Sequence, residues 1–177
     1  MFTLDVNHEI KLALVEPSFA ERYYDIIQKH RKTLSQWLAW PPHATDSTFF
    51  LHFIQQSLQD YAQGKSLTCA IFYRDELVGN ISFNHILHEL KKVDIGYWLT
   101  PEKQGLGIIT QCVSFLTQYA FNTLHIDKIE IKAARDNLPS RAVCERLGFT
   151  LEGIIGNAEN LNGRIVDHAV YALYSPK

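Results

Sequence analysis

The chain has 177 residues and a mass of 20.3 kDa, room for one hydrophobic core and little more. With 46% hydrophobic and 20% charged residues it can bury a sizeable core, which excludes a disordered or fibrous chain. Its 17 Lys and Arg against 19 Asp and Glu give a net charge of −2 without a block of one sign, so direct nucleic-acid binding is not expected.

The three cysteines, Cys69, Cys112 and Cys144, are far apart and form no C-x-x-C pair, which argues against a disulfide framework or zinc knuckle and fits a reducing cytoplasm. The first residues, with Asp5, Glu9 and Lys11, lack a basic segment followed by an apolar one. No 18-residue apolar run occurs, so neither secretion nor a membrane span is expected.

In chain order, Ile10 to Val15 alternates like a strand, and Phe19, Tyr23, Ile26, Ile27 and His30 follow at helical spacing. Trp37 to His43, with Trp40, Pro41 and Pro42, breaks that helix and leaves aromatic residues in a loop. A second helix is expected from a cap at Asp46 or Ser47 to Gly64, with Phe49, Phe50, Phe53, Ile54, Leu58 and Tyr61 along it. Leu67 to Tyr73, Leu77 to Phe83 and Val93 to Leu99 then read as strands, the first two joined by the turn Arg74, Asp75, Glu76. After Pro101 come a glycine-containing loop, a helix carrying Val113, Leu116, Tyr119 and Ala120, and a strand at Lys128 to Ala134. A helix from Leu138 to Leu147 stops at Gly148, and strands Phe149 to Leu161 and Arg164 to Tyr174 meet at the hairpin pair Asn162 and Gly163. With no repeat or linker, a single domain over residues 1–177 is expected.

The stretch GYWLTPEKQGLGIITQ sets Gln104, Gly105, Leu106 and Gly107 between a strand and a helix. Glycines allow close backbone approach, and the free amides of the helix start suit a pyrophosphate. The stretch is neither a P-loop nor the G-x-G-x-x-G dinucleotide fingerprint, because Thr110 stands at the third glycine position. Two glycines alone are equally compatible with a plain tight turn. About 30 residues on, however, DNLPSRAVCERLGF puts Asn137 and Ser140 at the start of a helix that closes on Gly148 and Phe149.

Together these two motifs resemble the GNAT superfamily of N-acetyltransferases, whose acetyl-coenzyme A loop reads Gln/Arg-x-x-Gly-x-Gly/Ala and whose next motif leads through Asn-x-x-Ala/Ser to Leu-Gly-Phe. IGYWL, QGLGI, DNLPSRAV and NLNG are similar to the RimL/RimJ branch, which acetylates ribosomal-protein N-termini. The resemblance implies an α+β fold with a mixed, twisted sheet of about seven strands and about four helices. It also implies that the fourth and fifth strands, Val93 to Leu99 and Lys128 to Ala134, splay apart around pantetheine, with Trp98 and Leu99 at the opening. Splayed strands leave backbone groups that an amide-bearing arm can satisfy. The loop amides of Gln104, Gly105, Leu106, Gly107, Ile108, Ile109 and Thr110 would hold the pyrophosphate, and Asn137 would contact the pantetheine arm or the backbone near it. Simple strand packing is the competing role for Tyr97 and Trp98.

Two positions depart from the pattern: Ile109 stands where Gly or Ala is usual, and Cys144 stands where many members carry a general-acid tyrosine. The branch resemblance implies Ser140 as acid and Glu159 as base. Ser140 could equally be only a helix N-cap or first-turn residue, Cys144 the second choice for the acid or a buried helix residue, and Glu159 a solvated strand residue. Asn162 and Gly163 read as turn residues, and Asn160 as a neighbour of Glu159. His85 and His88 are placed in a loop without a third ligand, so no metal is expected. His168 and Asp167 are expected at the surface or in a cleft, and Trp37 and Trp40 either at the acceptor mouth or under the second helix.

The expected activity is acetyl transfer from acetyl-coenzyme A to a protein N-terminus by direct attack. A small-molecule amine (polyamine, amino sugar or antibiotic) and a non-catalytic acyl-coenzyme A module are the alternatives, and a homodimer is implied by the branch resemblance alone.

Overall fold

A computed structural model describes residues 1–176. Eight strands form one sheet: β1 (Thr3–Asp5), β2 (Ile10–Leu14), β3 (Leu67–Tyr73), β4 (Glu76–Leu87), β5 (Lys92–Leu99), β6 (Lys128–Ala134), β7 (Thr150–Leu161) and β8 (Arg164–Tyr174). The order across the sheet is β1-β2-β3-β4-β5-β6-β8-β7, and among the described residues only the adjacent pair β5 and β6 is parallel. The strand expected from residue 10 is β2, and the extra one is β1; three residues are too few to show a period. β5 and β6 are therefore the strands expected to splay.

Four helices cover the sheet: α1 (Ala20–Leu34), α2 (Ser47–Ala62), α3 (Ile108–Asn122) and α4 (Leu138–Arg146). The alternation of the strands decides which face each helix meets. Ile10, Leu12, Ile71, Ile81, Val93, Ile95, Ile129 and Ile131 pack with Val113 and Leu116 of α3 and Val143 and Cys144 of α4. On the other face Ala13, Ala70 and Phe72 meet Tyr23 and Ile27 of α1 and Phe50 and Ile54 of α2. Parallel β5 and β6 are joined by α3, the crossover such a pair requires.

Local chemistry sets the boundaries. Asp46 is the α2 cap, accepting the amides of Thr48 at 2.9 Å and Phe49 at 3.3 Å. The positive φ of Gly64 and Gly148 ends α2 and α4 as the sequence suggests. At the β3–β4 hairpin Arg74 and Asp75 both take positive φ. The expected histidine loop is corrected: β4 runs on to Leu87, so His85 lies on a strand, its Nδ1 3.1 Å from Asp94. His88 sits in a 3-10 turn with Nε2 2.8 Å from the Gly64 carbonyl. A bulge after Phe83 interrupts the alternation there, which hid the strand from the sequence.

Candidate active site

β5 and β6 pair only from Lys92 with Lys128 to Ile95 with Ile131. Beyond that point Gly96 to Leu99 pair with β4 alone, and Lys132 to Ala134 with β8 alone. The two strands thus part in the middle of the sheet and expose backbone amides and carbonyls to the gap. A cleft of about 960 Å³ opens there, lined by Gly96, Tyr97, Trp98 and Leu99 on one side and Lys132, Ala133 and Ala134 on the other.

At one end of the cleft lies the glycine loop. Gly105 and Gly107 have φ of +77° and +75°, a conformation that costs other residues strain and explains glycine at both. Gly107 caps α3, and among the described residues no side chain bonds to the first helical amides, which can meet an anion. Gln104, Gly105, Gly107, Ile108, Ile109 and Thr110 line the cleft; the Leu106 side chain does not and is 53% exposed. The Gln104 amide donates to the Leu99 carbonyl at 3.3 Å, tying the loop to the parted strand.

The start of α4 forms another wall. Asn137 is its cap, taking the Ser140 amide at 3.3 Å, and Asn137, Pro139 and Ser140 all line the cleft. The Ser140 hydroxyl lies 2.9 Å from the Tyr97 hydroxyl, which also reaches the Ser140 carbonyl at 3.2 Å. Burial pushes the Tyr97 phenol well above its ordinary pKa, so it stays neutral. Cys144, one turn on, is 0% exposed, does not line the cleft, and has its thiol pushed up to about 12 by burial. The thiol is a packed helix residue.

Glu159 reaches the cleft from β7 because of a register break. Ile155 pairs with His168, yet Glu159 pairs with Val166, so the residues between them bulge. Asn157 takes positive φ there, and its amide donates to Asp167 Oδ1 at 3.0 Å. Across the cleft wall His168 Nε2 lies 2.9 Å from Glu159 Oε2. Tyr97, for which the sequence left ligand contact and strand packing open, and His168, expected at the surface or in a cleft, both line the cleft; strand parity and the bulge, which bring them beside Ser140 and Glu159, need the register to be known.

The hairpin turn at Asn162 and Gly163 has the expected positive φ at both, and Asn160 Oδ1 accepts the Gly163 amide at 2.7 Å. It does more than turn: the Asn162 amide donates to the carbonyls of Ser35 and Leu38 at 3.1 and 3.2 Å, clamping the hairpin to the segment after α1. Trp37 in that segment lines the cleft with the Arg164 guanidinium 5.1 Å from its ring centroid. Trp40 instead packs with Trp98 and with Phe49 and Phe50 of the second helix. No group of three or more His, Cys, Asp or Glu among the described residues is arranged to hold a metal ion.

The acetyltransferase (GNAT) domain model matches residues 10–150, from β2 to the first residue of β7. The chain belongs to the GNAT acetyltransferase family. It is 34% identical to the ribosomal-protein-serine acetyltransferase of Escherichia coli over 96% of this chain and 95% of that protein. RimL, a ribosomal α-N-protein acetyltransferase solved with coenzyme A, superposes with a TM-score of 0.92 at 32% identity, covering 98% of each chain. The microcin self-immunity acetyltransferase MccE, solved with acetyl-coenzyme A and AMP, gives 0.92 at 35% identity over 96% of this chain and 94% of its own. The protein is thus an acyltransferase of the GNAT fold, with one strand more than the sequence suggested.

Proposed function

We propose that the protein moves the acetyl group of acetyl-coenzyme A to the α-amine at a protein N-terminus, with a ribosomal protein as acceptor, and that residues 1–177 work as one catalytic domain. The parted edges of β5 and β6, with the α3 amides at one end and Ser140 and Glu159 on the walls, carry this reading. Pantetheine pairs with the free strand edge near Trp98 and Leu99. The amides of residues 104–110 hold the pyrophosphate, with Leu106 contributing backbone only, and Asn137 flanks the arm. Full-length similarity to ribosomal-protein acetyltransferases supports the acceptor class.

Glu159 takes a proton from the acceptor ammonium, leaving the electron pair on nitrogen. The amine attacks the thioester carbon, a C–N bond forms, the C–S bond breaks, and the Ser140 hydroxyl protonates the departing sulfur and is reprotonated from solvent. Tyr97, neutral and part-buried, lies 2.9 Å from the Ser140 hydroxyl and holds that hydroxyl at the cleft wall. Of the three ammonium protons, one passes to Glu159 and on to solvent, a second is lost to solvent as the tetrahedral adduct collapses and the third stays on the amide. With one proton taken up to restore Ser140, one proton is released per turnover. The free cysteines Cys69, Cys112 and Cys144 support a cytoplasmic setting, and no helix among the described residues is long and apolar enough to cross a membrane. The exposed apolar residues Leu151, Ile154 and Ile155 of edge strand β7, with Ile165 of β8, support a homodimer.

The test is Glu159→Gln with an N-terminal peptide acceptor, followed by thiol release. Turnover should fall by about 10²- to 10⁴-fold near neutral pH. The deficit should shrink as pH rises past the α-amine pKa of roughly 8, where the acceptor is already neutral. A pH-independent deficit, or none, contradicts the base assignment.

A further inference from the structure

His168 is absent from the roles assigned so far, yet its Nε2 is 2.9 Å from Glu159 Oε2, the one hydrogen bond made by the Glu159 side chain among the described residues. The two side chains sit on strands of different character. β7 is the last strand of the sheet and is paired on one side only, and the Glu159 side chain is 36% exposed there. β8 is held on both sides, by β6 and β7, with His168 paired to Ala134 and to Ile155, and its side chain is 18% exposed.

A glutamate has three freely turning side-chain bonds, and an exposed one on an edge strand samples many positions. A base must instead be held within hydrogen-bond reach of the proton it takes. The imidazole, anchored in the sheet interior, supplies that restraint. We propose that His168 is the positioning residue for the base: its Nε2–H donates to Oε2 and fixes the carboxylate so that Oε1 is the oxygen that receives the acceptor's proton.

The bulge between Ile155 and Glu159 belongs to the same device. Without it a regular β7 would continue in register from Ile155, and Glu159 would not lie opposite Val166, two residues from His168. The Asp167 carboxylate, which accepts the Asn157 amide, stabilises that bulge from the strand that carries His168. Two consecutive residues of β8 therefore set the base, one through the backbone and one through the side chain. His168 moves no proton itself; the O–H bond forms at Glu159 and the N–H bond breaks at the acceptor.

This inference rests on Glu159 as the base, and the experiment separates the two. Thiol release with a peptide acceptor is measured for wild type, His168→Ala, His168→Gln, Glu159→Gln and the His168→Ala/Glu159→Gln double variant, with acetyl-coenzyme A affinity measured in parallel. A glutamine places an amide N–H where Nε2 was and cannot titrate in this range. His168→Ala should lower kcat by about 10- to 100-fold with donor affinity unchanged. His168→Gln should recover most of it, and adding His168→Ala to Glu159→Gln should cost little more. Loss of activity in His168→Gln equal to that in His168→Ala, or full additivity in the double variant, overturns the positioning role. An impaired Glu159→Gln with an unimpaired His168→Ala overturns it alone. A fully active Glu159→Gln overturns the base assignment and the positioning role with it.

Discussion

Ser140 and Cys144 stand one turn apart on α4, and burial separates their chemistry. The Ser140 hydroxyl lies on the cleft wall with the Tyr97 hydroxyl at 2.9 Å, whereas the Cys144 sulfur is enclosed between α4 and the sheet. A thiol pushed up to about 12 by that enclosure remains protonated and has no path to a departing sulfur. Ser140→Ala should therefore lower kcat with acetyl-coenzyme A by about 10²-fold, while Cys144→Ala should leave kcat near wild type and cost about 1 kcal/mol of stability through the small void it makes. Thiol-release kinetics beside denaturant unfolding check both, and a Cys144→Ala variant slower than Ser140→Ala contradicts the assignment. Serine and cysteine were both visible in the motif; only packing tells them apart.

At the scale of elements, the closed half of the β5–β6 pair is as important as the open half. Below the fork, Glu130 of β6 is buried and held by Lys92 of β5 at 3.0 Å and Lys132 at 3.1 Å, with Lys128 at 3.6 Å. Burial pushes the Glu130 carboxyl up, but the hydrogen bonds and charges of Lys92 and Lys132 outweigh it and hold the carboxyl below its ordinary value. A folded-state value below the unfolded one means that the unfolded chain binds the extra proton in acid. The stabilisation is thus complete above the unfolded carboxylate value and is lost as pH falls through the folded one. Glu130→Gln should accordingly flatten the acid limb of a stability-against-pH curve measured by denaturant unfolding, and an unchanged limb contradicts this.

The elements themselves were unevenly legible. The runs Leu67–Tyr73, Lys128–Ala134 and Arg164–Tyr174 are bounded by turn residues and coincide with β3, β6 and β8. β1 is too short to carry a period, and bulges in β4 and β7 shift side chains between faces in a way that composition does not record. That is why the glycine loop and the start of α4 could be placed from sequence, although the cap there is Asn137 and not Ser140, whereas the His168 contact with Glu159 could not. The first kind of residue is marked by local backbone chemistry and the second by long-range register.

For the whole molecule, the sheet ends on a 12-residue strand, β7, whose outer edge is unpaired and whose two faces carry Leu151 and Ile154 on one side and Ile155 on the other in solvent. A long apolar edge is an association surface. Light scattering at micromolar concentration should give twice the chain mass of 20.3 kDa, and charged substitutions at Ile154 and Ile155 should return it to the single-chain value. A wild-type species at 20.3 kDa contradicts the dimer. The fork in the sheet, the amide loop and the paired walls serve one reaction at one kind of amine. Mass spectrometry of two lysine-containing peptides of the same sequence, one with a free N-terminus and one blocked, incubated with the protein and acetyl-coenzyme A beside a polyamine, checks that selectivity. One acetyl group is expected on the α-amine of the free peptide and none on the blocked peptide, whereas equal acetylation of both peptides, or turnover of the polyamine alone, rules out an N-terminal α-amine as the acceptor.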